Sequence, residues 1–297
     1  MNTFLSLTKR NVKMFFKDKG MFFTSLITPI ILLVLYATFL AKIYRDSFAS
    51  ALPEGFTIDE KLISATVGGQ LMSSLLAVSC VTVSFCANLL MVQDKVNGAR
   101  KDMLVTPVRR SVVASSYYVG TLLTTVIVSF VATGACFIYL AINGWYLSFG
   151  DVMLIILDVV ILTMFGTALA SVVNVFLTSS GQASAVGTVV STGYGFICGA
   201  YMPINQFGSG LQKVLSLLPG TYGTSLIRNH CLGGVFREMS AVGFPSEAVE
   251  GIKESIDCNI SFFGNTVSIG AMYAVILGAT ALLIGAFVLI NVLRKRA

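Results

Sequence analysis

Residues 94–110, DKVNGARKDMLVTPVRR, concentrate charge between two long stretches that have none. Leu62 to Gln93 and Ser111 to Gly150 contain no Asp, Glu, Lys or Arg. About 20 apolar residues suffice to cross a hydrocarbon layer, whereas a charge at its centre costs roughly 2.5–3.5 kcal/mol. The 94–110 run is therefore a water-facing connection between two membrane spans. Within it, Arg100 to Val105 predicts a short helix, which Pro107 stops before a basic end.

The rest of the chain follows the same rule. Only 11% of its 297 residues are charged and 55% are hydrophobic, against about 25% charged in soluble domains. The fold class read from this is an all-α integral membrane protein, one domain over residues 1–297. Six spans are expected, at about 21–43, 62–93, 111–142, 151–177, 183–202 and 264–293. Pro29 is placed to kink the first, and Gly68-Gly69 to bend the second, which is longer than one straight crossing needs. Residues 1–20 precede them. Lys9, Lys13 and Lys17 recur every four residues, opposite Leu5, Thr8, Val12, Phe15 and Phe16. That pattern predicts an amphipathic helix at the lipid headgroups, with Lys9, Lys13, Phe15 and Lys17 as its interfacial residues. Trp145 and Tyr146, in the turn 143–150, suit a membrane interface.

Positive charge sets the orientation. Lys9, Arg10, Lys13, Lys17 and Lys19 precede the first span. Lys95, Arg100, Lys101, Arg109 and Arg110 lie in the middle run, and Arg294, Lys295 and Arg296 close the chain. They are 13 of the 20 Lys and Arg residues. Both termini and residues 94–110 are thus expected in the cytoplasm of a cell (plasma) membrane, with residues 205–263 as an extracellular loop. Cys231 and Cys258 share that loop and are expected to form a disulfide. Cys80, Cys86, Cys136 and Cys198 fall in spans as small hydrophobes. His230 has only Cys231 near it as a second ligand, so no metal is expected. The sequon Asn259-Ile260-Ser261 is taken as chance. Without a Gly-x-x-x-x-Gly-Lys-Ser/Thr loop, the chain does not hold ATP in that way. Its basic residues sit in short segments beside spans, so nucleic acid is not an expected partner.

Inside the spans, Ala183, Gly187, Ser191, Gly195 and Gly199 fall four residues apart. They share one face of the fifth span, a groove for a second helix. Asp158 is the only acid well inside a span. Such a group is either a hydrogen-bonded structural joint or a proton or cation site. Leu211, Val214, Leu215 and Leu218 share a face of a short helix suited to dip into the outer leaflet.

Two motifs carry a family resemblance. Gly98, then Met103-Leu104-Val105-Thr106-Pro107-Val108-Arg109-Arg110, resembles the first cytoplasmic loop of type-2 ABC exporter permeases. Gly199-Ala-Tyr-Met-Pro203, followed by Leu211, Val214, Leu215, Leu218, Pro219, Thr221, Tyr222 and Arg228, resembles that family's exit from the fifth span. The resemblance implies a permease working as a homodimer or heterodimer with a cytosolic ABC ATPase subunit. ATP and Mg would be held by that partner, and this chain would bind no cofactor and catalyse nothing itself. Gly98, Arg100, Met103, Leu104, Val105, Thr106, Pro107 and Arg109 would couple to the ATPase. Gly187, Ser191, Gly195, Gly199 and Pro203 would line the dimer seam or the path. Leu215, Pro219 and Tyr222 would belong to a re-entrant segment before the last span. The expected function is export of an amphipathic or apolar substrate such as a drug, lipid, glycolipid or peptide. An ion-coupled secondary transporter using Asp158, and a membrane scaffold protein, are the alternatives.

Overall fold

The computed structural model describes residues 3–35, 38, 42, 59–262 and 264–293. Helices α1 (Thr3–Lys17) and α2 (Lys19–Leu35) meet at Asp18, whose carboxylate accepts the Met21 amide at 3.1 Å and so caps α2. Then follow α3 (Glu60–Val96), α4 (Ala99–Val105), α5 (Arg110–Asn143), α6 (Phe149–Asn174) and α7 (Ser180–Ile197). A 3-10 turn at Ile204–Gln206 leads to α8 (Ser209–Leu215), α9 (Pro219–Ala241) and α10 (Ser246–Ser255). A two-stranded hairpin pairs β1 (Ser261–Phe262) with β2 (Asn265–Thr266), Ser261 opposite Thr266, before α11 (Ile269–Leu293).

Helix α3 is the post of the bundle. It packs against α2, α5, α6, α7 and α9, and most of its 37 residues are buried. Because α3 is enclosed, its sequence is apolar all round rather than striped. Gly68 and Gly69 do not bend it; the helix runs unbroken from Glu60 to Val96. They let other helices close in. A Cβ on Gly68 would lie 2.9 Å from Leu140 of α5, and one on Gly69 would lie 2.6 Å from Leu232 of α9.

Helices α3, α5, α6 and α11 are long and apolar enough to cross a membrane. The outward faces of α5 and α11 carry Ile127, Val131, Ile138, Ile142, Leu282 and Leu293, the composition that lipid selects. Helix α2 contains Pro29, and the rest of the first expected span lies largely outside the described residues. Helix α7 has the length of a short span, but Ser, Thr and Gly make up much of it and it does not join the four. It ends at Ile197, so residues 198–202 of the expected span form a turn instead. Gly199 takes φ 72° there, and the Ala200 and Tyr201 amides both donate to the Gly195 carbonyl.

The largest departure from expectation is in residues 205–263. They do not form a loop: the 23-residue α9 lies inside the bundle against α3, α6 and α11. Arg228, Arg237 and Glu238 made this stretch read as water-exposed. Arg228 is fully buried; its two terminal nitrogens are satisfied from within, while Nε has no hydrogen-bond partner. Its guanidinium donates to the carbonyls of Ile256 (2.6 Å) and Gly199 (3.0 Å) and to Ser74 Oγ (3.3 Å), with the Asp257 carboxylate 3.8 Å away. One side chain thus ties α9 to α3, to the turn after α7 and to the turn after α10. Burial pushes the Asp257 carboxyl up from its ordinary value, while Arg228 and the Ile204 amide, 2.5 Å away, pull it down.

Gly234 fixes the depth of α9, because a Cβ there would fall 1.9 Å from the Tyr146 carbonyl oxygen. Gly234→Ala is expected to lower the apparent melting temperature in detergent, with a cost of about 1–3 kcal/mol for overpacking. Gly134→Ala, which meets nothing within 4 Å, is expected to leave it unchanged or raise it. Equal melting curves for the two variants would contradict this packing.

Candidate functional site

The charged run between α3 and α5 folds into a short helix with two distinct faces. Gly98 takes φ 83°, a left-handed conformation that glycine adopts without strain, and turns the chain out of α3. Helix α4 then spans Ala99–Val105, close to the expected Arg100–Val105. Thr106 Oγ1 donates to the Met103 carbonyl at 2.6 Å, and Pro107 follows. Met103 and Leu104 turn inward and pack with Met91, Val113, Tyr117 and Phe287. Arg100 donates to Asn291 Oδ1 of α11 at 3.1 Å. Val105 is 87% exposed, and Thr106, Pro107 and Arg109 are exposed beside it. Of the residues expected to couple, Arg100, Met103 and Leu104 fasten the helix, and Val105, Thr106, Pro107 and Arg109 face outward.

The last turn of α3 holds α4 in place through two adjacent charges. The buried Asp94 carboxylate takes a two-pronged contact from Arg10 of α1 and a 2.6 Å hydrogen bond from the Tyr117 hydroxyl of α5. The bond to Asp94 raises the Arg10 pKa above its ordinary value. Lys95 points the other way. Its ammonium donates to the carbonyls of Asn174 (3.2 Å), Val175 (2.6 Å) and Leu177 (3.0 Å), at the carboxyl end of α6. A cation is favoured there because the carboxyl end of a helix is the negative end of its dipole.

Helix α1 lies alongside, packed chiefly on α5. Its buried stripe is Thr8, Asn11 and Phe15, while Leu5 and Phe16 of the expected apolar face are exposed. Asn11 comes in because Gly120 of α5 leaves room; a Cβ there would lie 2.9 Å from Asn11 Cβ. Lys9, Lys13 and Lys17 are exposed.

The expected groove on α7 is only partly a groove. Ala183 is buried, and Gly187 meets nothing within 4 Å. Gly195 is covered by the chain's own Tyr201 ring rather than by another helix, so its small size serves the turn. Gly199 lies past the helix in that turn, and Pro203 is buried after it. Ser191 is half-buried. At the α8–α9 corner, Pro219 opens α9. Leu215 is buried, its carbonyl accepts the Thr221 hydroxyl, and the Tyr222 hydroxyl donates to the Ser216 carbonyl at 2.6 Å.

Farther along α6, Asp158 joins three helices. Its carboxylate lies 2.5 Å from His230 Nδ1 of α9 and accepts the Tyr273 hydroxyl of α11 at 2.5 Å. His230 also lines a cleft of about 430 Å³ with Asn229, Phe236, Arg237 and Lys253. Asp151, one turn inside α6, closes a capping box with Ser148 and pairs with Arg237. Cys231 and Cys258 are both free and buried, contrary to the expected disulfide. Burial pushes the Cys258 thiol up to about 12. Among the described residues no group of three or more His, Cys, Asp or Glu is placed to hold a metal ion.

The family model for ABC-2 type transporter matches residues 2–231. The chain belongs to the ABC-2 type transporter family. No curated protein matches it. As an ABC-2 protein with four helices fit to cross a bilayer, it is a membrane protein and the permease subunit of an ABC transporter, not itself catalytic. Permeases of this family work generally with ABC ATPase partners.

Sequence reading missed Lys95, Asn291, His230 and Tyr273 as partners. Lys95 and Asn291 gave no local signal, because their partners lie 79 to 191 residues away. His230 gave no local signal either, because its partner Asp158 lies 72 residues away.

The Asp158 joint has a measurable worth. His230→Leu leaves a buried carboxylate short of its main partner and is expected to cost about 3 kcal/mol in SDS-induced unfolding. The double variant Asp158→Leu/His230→Leu is expected to recover most of that loss. Full stability in the single variant would show that the pair is not coupled.

Proposed function

We propose that this permease subunit serves an ABC exporter, moving an amphipathic or apolar substrate outward with energy from ATP hydrolysed on a separate cytosolic ATPase. In this reading α2, α3, α5, α6, α7 and α11 are the six spans, and both termini and α4 face the cytoplasm of the plasma membrane. Helices α8 and α9 form the re-entrant pair before the last span, and α1 lies at the headgroups. The ATPase receives α4 in a groove and carries the ATP and Mg. The permease works as a dimer, with α7 at the seam; the open space at Gly187 and the exposed Ser184, Thr188 and Thr192 support this, since lipid alone does not select such a face.

One observation carries the reading. Val105, an apolar side chain, stands 87% exposed at the tip of a helix whose other apolar residues are packed. An exposed valine beside Thr106, Pro107 and Arg109 is a contact surface lacking its partner, and Pro107 stiffens the exit from that surface. The secondary-transporter reading is less favoured, because Asp158 is buried and engaged by His230 and Tyr273.

Val105→Asp is expected to reduce ATPase association at least tenfold in detergent, with membrane insertion unchanged. Pro107→Gly is expected to keep association but lower export per ATP in proteoliposomes. Native export per ATP in both variants would remove α4 from the coupling path. Export that continues without any ATPase and collapses with the proton gradient would replace this function with the secondary-transporter one.

A further inference from the structure

We propose that Lys95 is a positioning residue that carries movement of α4 into α6. This rests on the coupling role proposed for α4.

Helix α4 follows α3 after only Asn97 and Gly98. A push on α4 therefore reaches the last turn of α3 first. Gly98, in its left-handed conformation with nothing within 4 Å of a notional Cβ, is the compliant point. The stiff points lie on either side of it. Beyond Gly98, Arg100 bonds to Asn291 of α11. Before it, Asp94 takes hold of α1 and α5, and Lys95 takes hold of α6. The two adjacent charges thus divide the helices into two groups.

Asp94 and Lys95 bind in different ways. Asp94 meets two side chains, whose rotamers can follow it. Lys95 meets three backbone carbonyls, at 174, 175 and 177, which cannot move unless the end of α6 moves. The three acceptors surround one ammonium, and the attraction is to the negative end of the helix rather than to one atom. Sliding by a fraction of an ångström keeps the joint; replacing the ammonium breaks it. Helix α6 is also the helix that carries Asp158, and so is tied to α9 and α11 in its amino-terminal half. Movement delivered at Lys95 is delivered to the element that links both ends of the bundle.

The test uses the full chain in nanodiscs and, separately, in proteoliposomes with its ATPase. Spin labels are introduced through Lys101→Cys and Phe176→Cys, two exposed positions on α4 and just past α6. The native thiols in the described residues are buried or half-buried. In the native background and in Lys95→Arg the distance distribution between the labels is expected to be narrow; in Lys95→Met it is expected to widen at least twofold. An unchanged width in Lys95→Met overturns the joint, whatever the ATPase does. With the ATPase present, Lys95→Met is expected to keep association and basal hydrolysis but to lose at least tenfold in export per ATP, and Lys95→Arg to restore most of it. A widened distribution with native export per ATP overturns the transmission role. Native export per ATP in Val105→Asp, run in parallel, locates the failure in the α4 coupling reading instead.

Discussion

Helix α3 is enclosed on all sides, and its Ser74, Ser84 and Asn88 find partners inside the protein, whereas the Gln70 amide and Ser79 Oγ find none. Ser84 meets Thr167 at 3.3 Å, and Asn88 donates to Ser171 at 3.0 Å and to Thr121 while accepting from Asn174 at 3.1 Å. Ser74 takes part of the Arg228 guanidinium. In an interior of low dielectric, an unpaired polar group costs more than its bond would return. Each contact therefore fixes the register of a neighbouring helix as well as holding it. Gly166 of α6 completes the arrangement: a Cβ there would lie 3.0 Å from the Cys80 carbonyl, so α3 and α6 touch along their backbones.

That enclosure explains why the two ends of the bundle matter. At one end Asp94, Lys95 and Arg100 tie α1, α5, α6 and α11 to the corner that bears α4. At the other, Asp158, His230 and Tyr273 tie α6, α9 and α11. Between them apolar packing is pinned by the Ser84 and Asn88 contacts, and the charged contacts add direction. A buried pair is weak evidence of added stability, so these contacts are better understood as selecting one arrangement of helices. The proposed export cycle uses that property, since a load applied at α4 meets Arg100 on one side of Gly98 and Asp94 and Lys95 on the other.

Much of this was legible in the sequence. The uncharged runs 62–93 and 111–142 and the charged run between them gave α3, α4 and α5 to within a few residues, because a missing charge over thirty residues has one physical meaning. Pro107 marked the exit of α4 for a conformational reason that holds in any context. The failures have a common cause. Residues 205–263 read as an outer loop because Arg228, Arg237 and Glu238 break the apolar pattern, and hydropathy cannot know that Arg228 finds three acceptors and Asp257 inside. Gly68-Gly69 read as a bend because a glycine permits one, whereas here it makes room for Leu140 and Leu232. The repeat on α7 read as one groove, but its Gly195 is used by Tyr201 from the same chain. In each case the deciding partner lies elsewhere in the fold or beyond a turn.

The central claim is that the exposed tip of α4 is the cytosolic contact of a partner ATPase. Single cysteines in place of Val105 and of Met103, treated with a membrane-impermeant maleimide in inside-out and right-side-out vesicles, test it most directly. The account predicts that Val105→Cys is labelled only in inside-out vesicles, that added ATPase slows this labelling at least tenfold, and that Met103→Cys, on the packed face, reacts slowly throughout. Labelling of Val105→Cys from the outer side, or labelling from the inner side that the ATPase leaves unchanged, would contradict it.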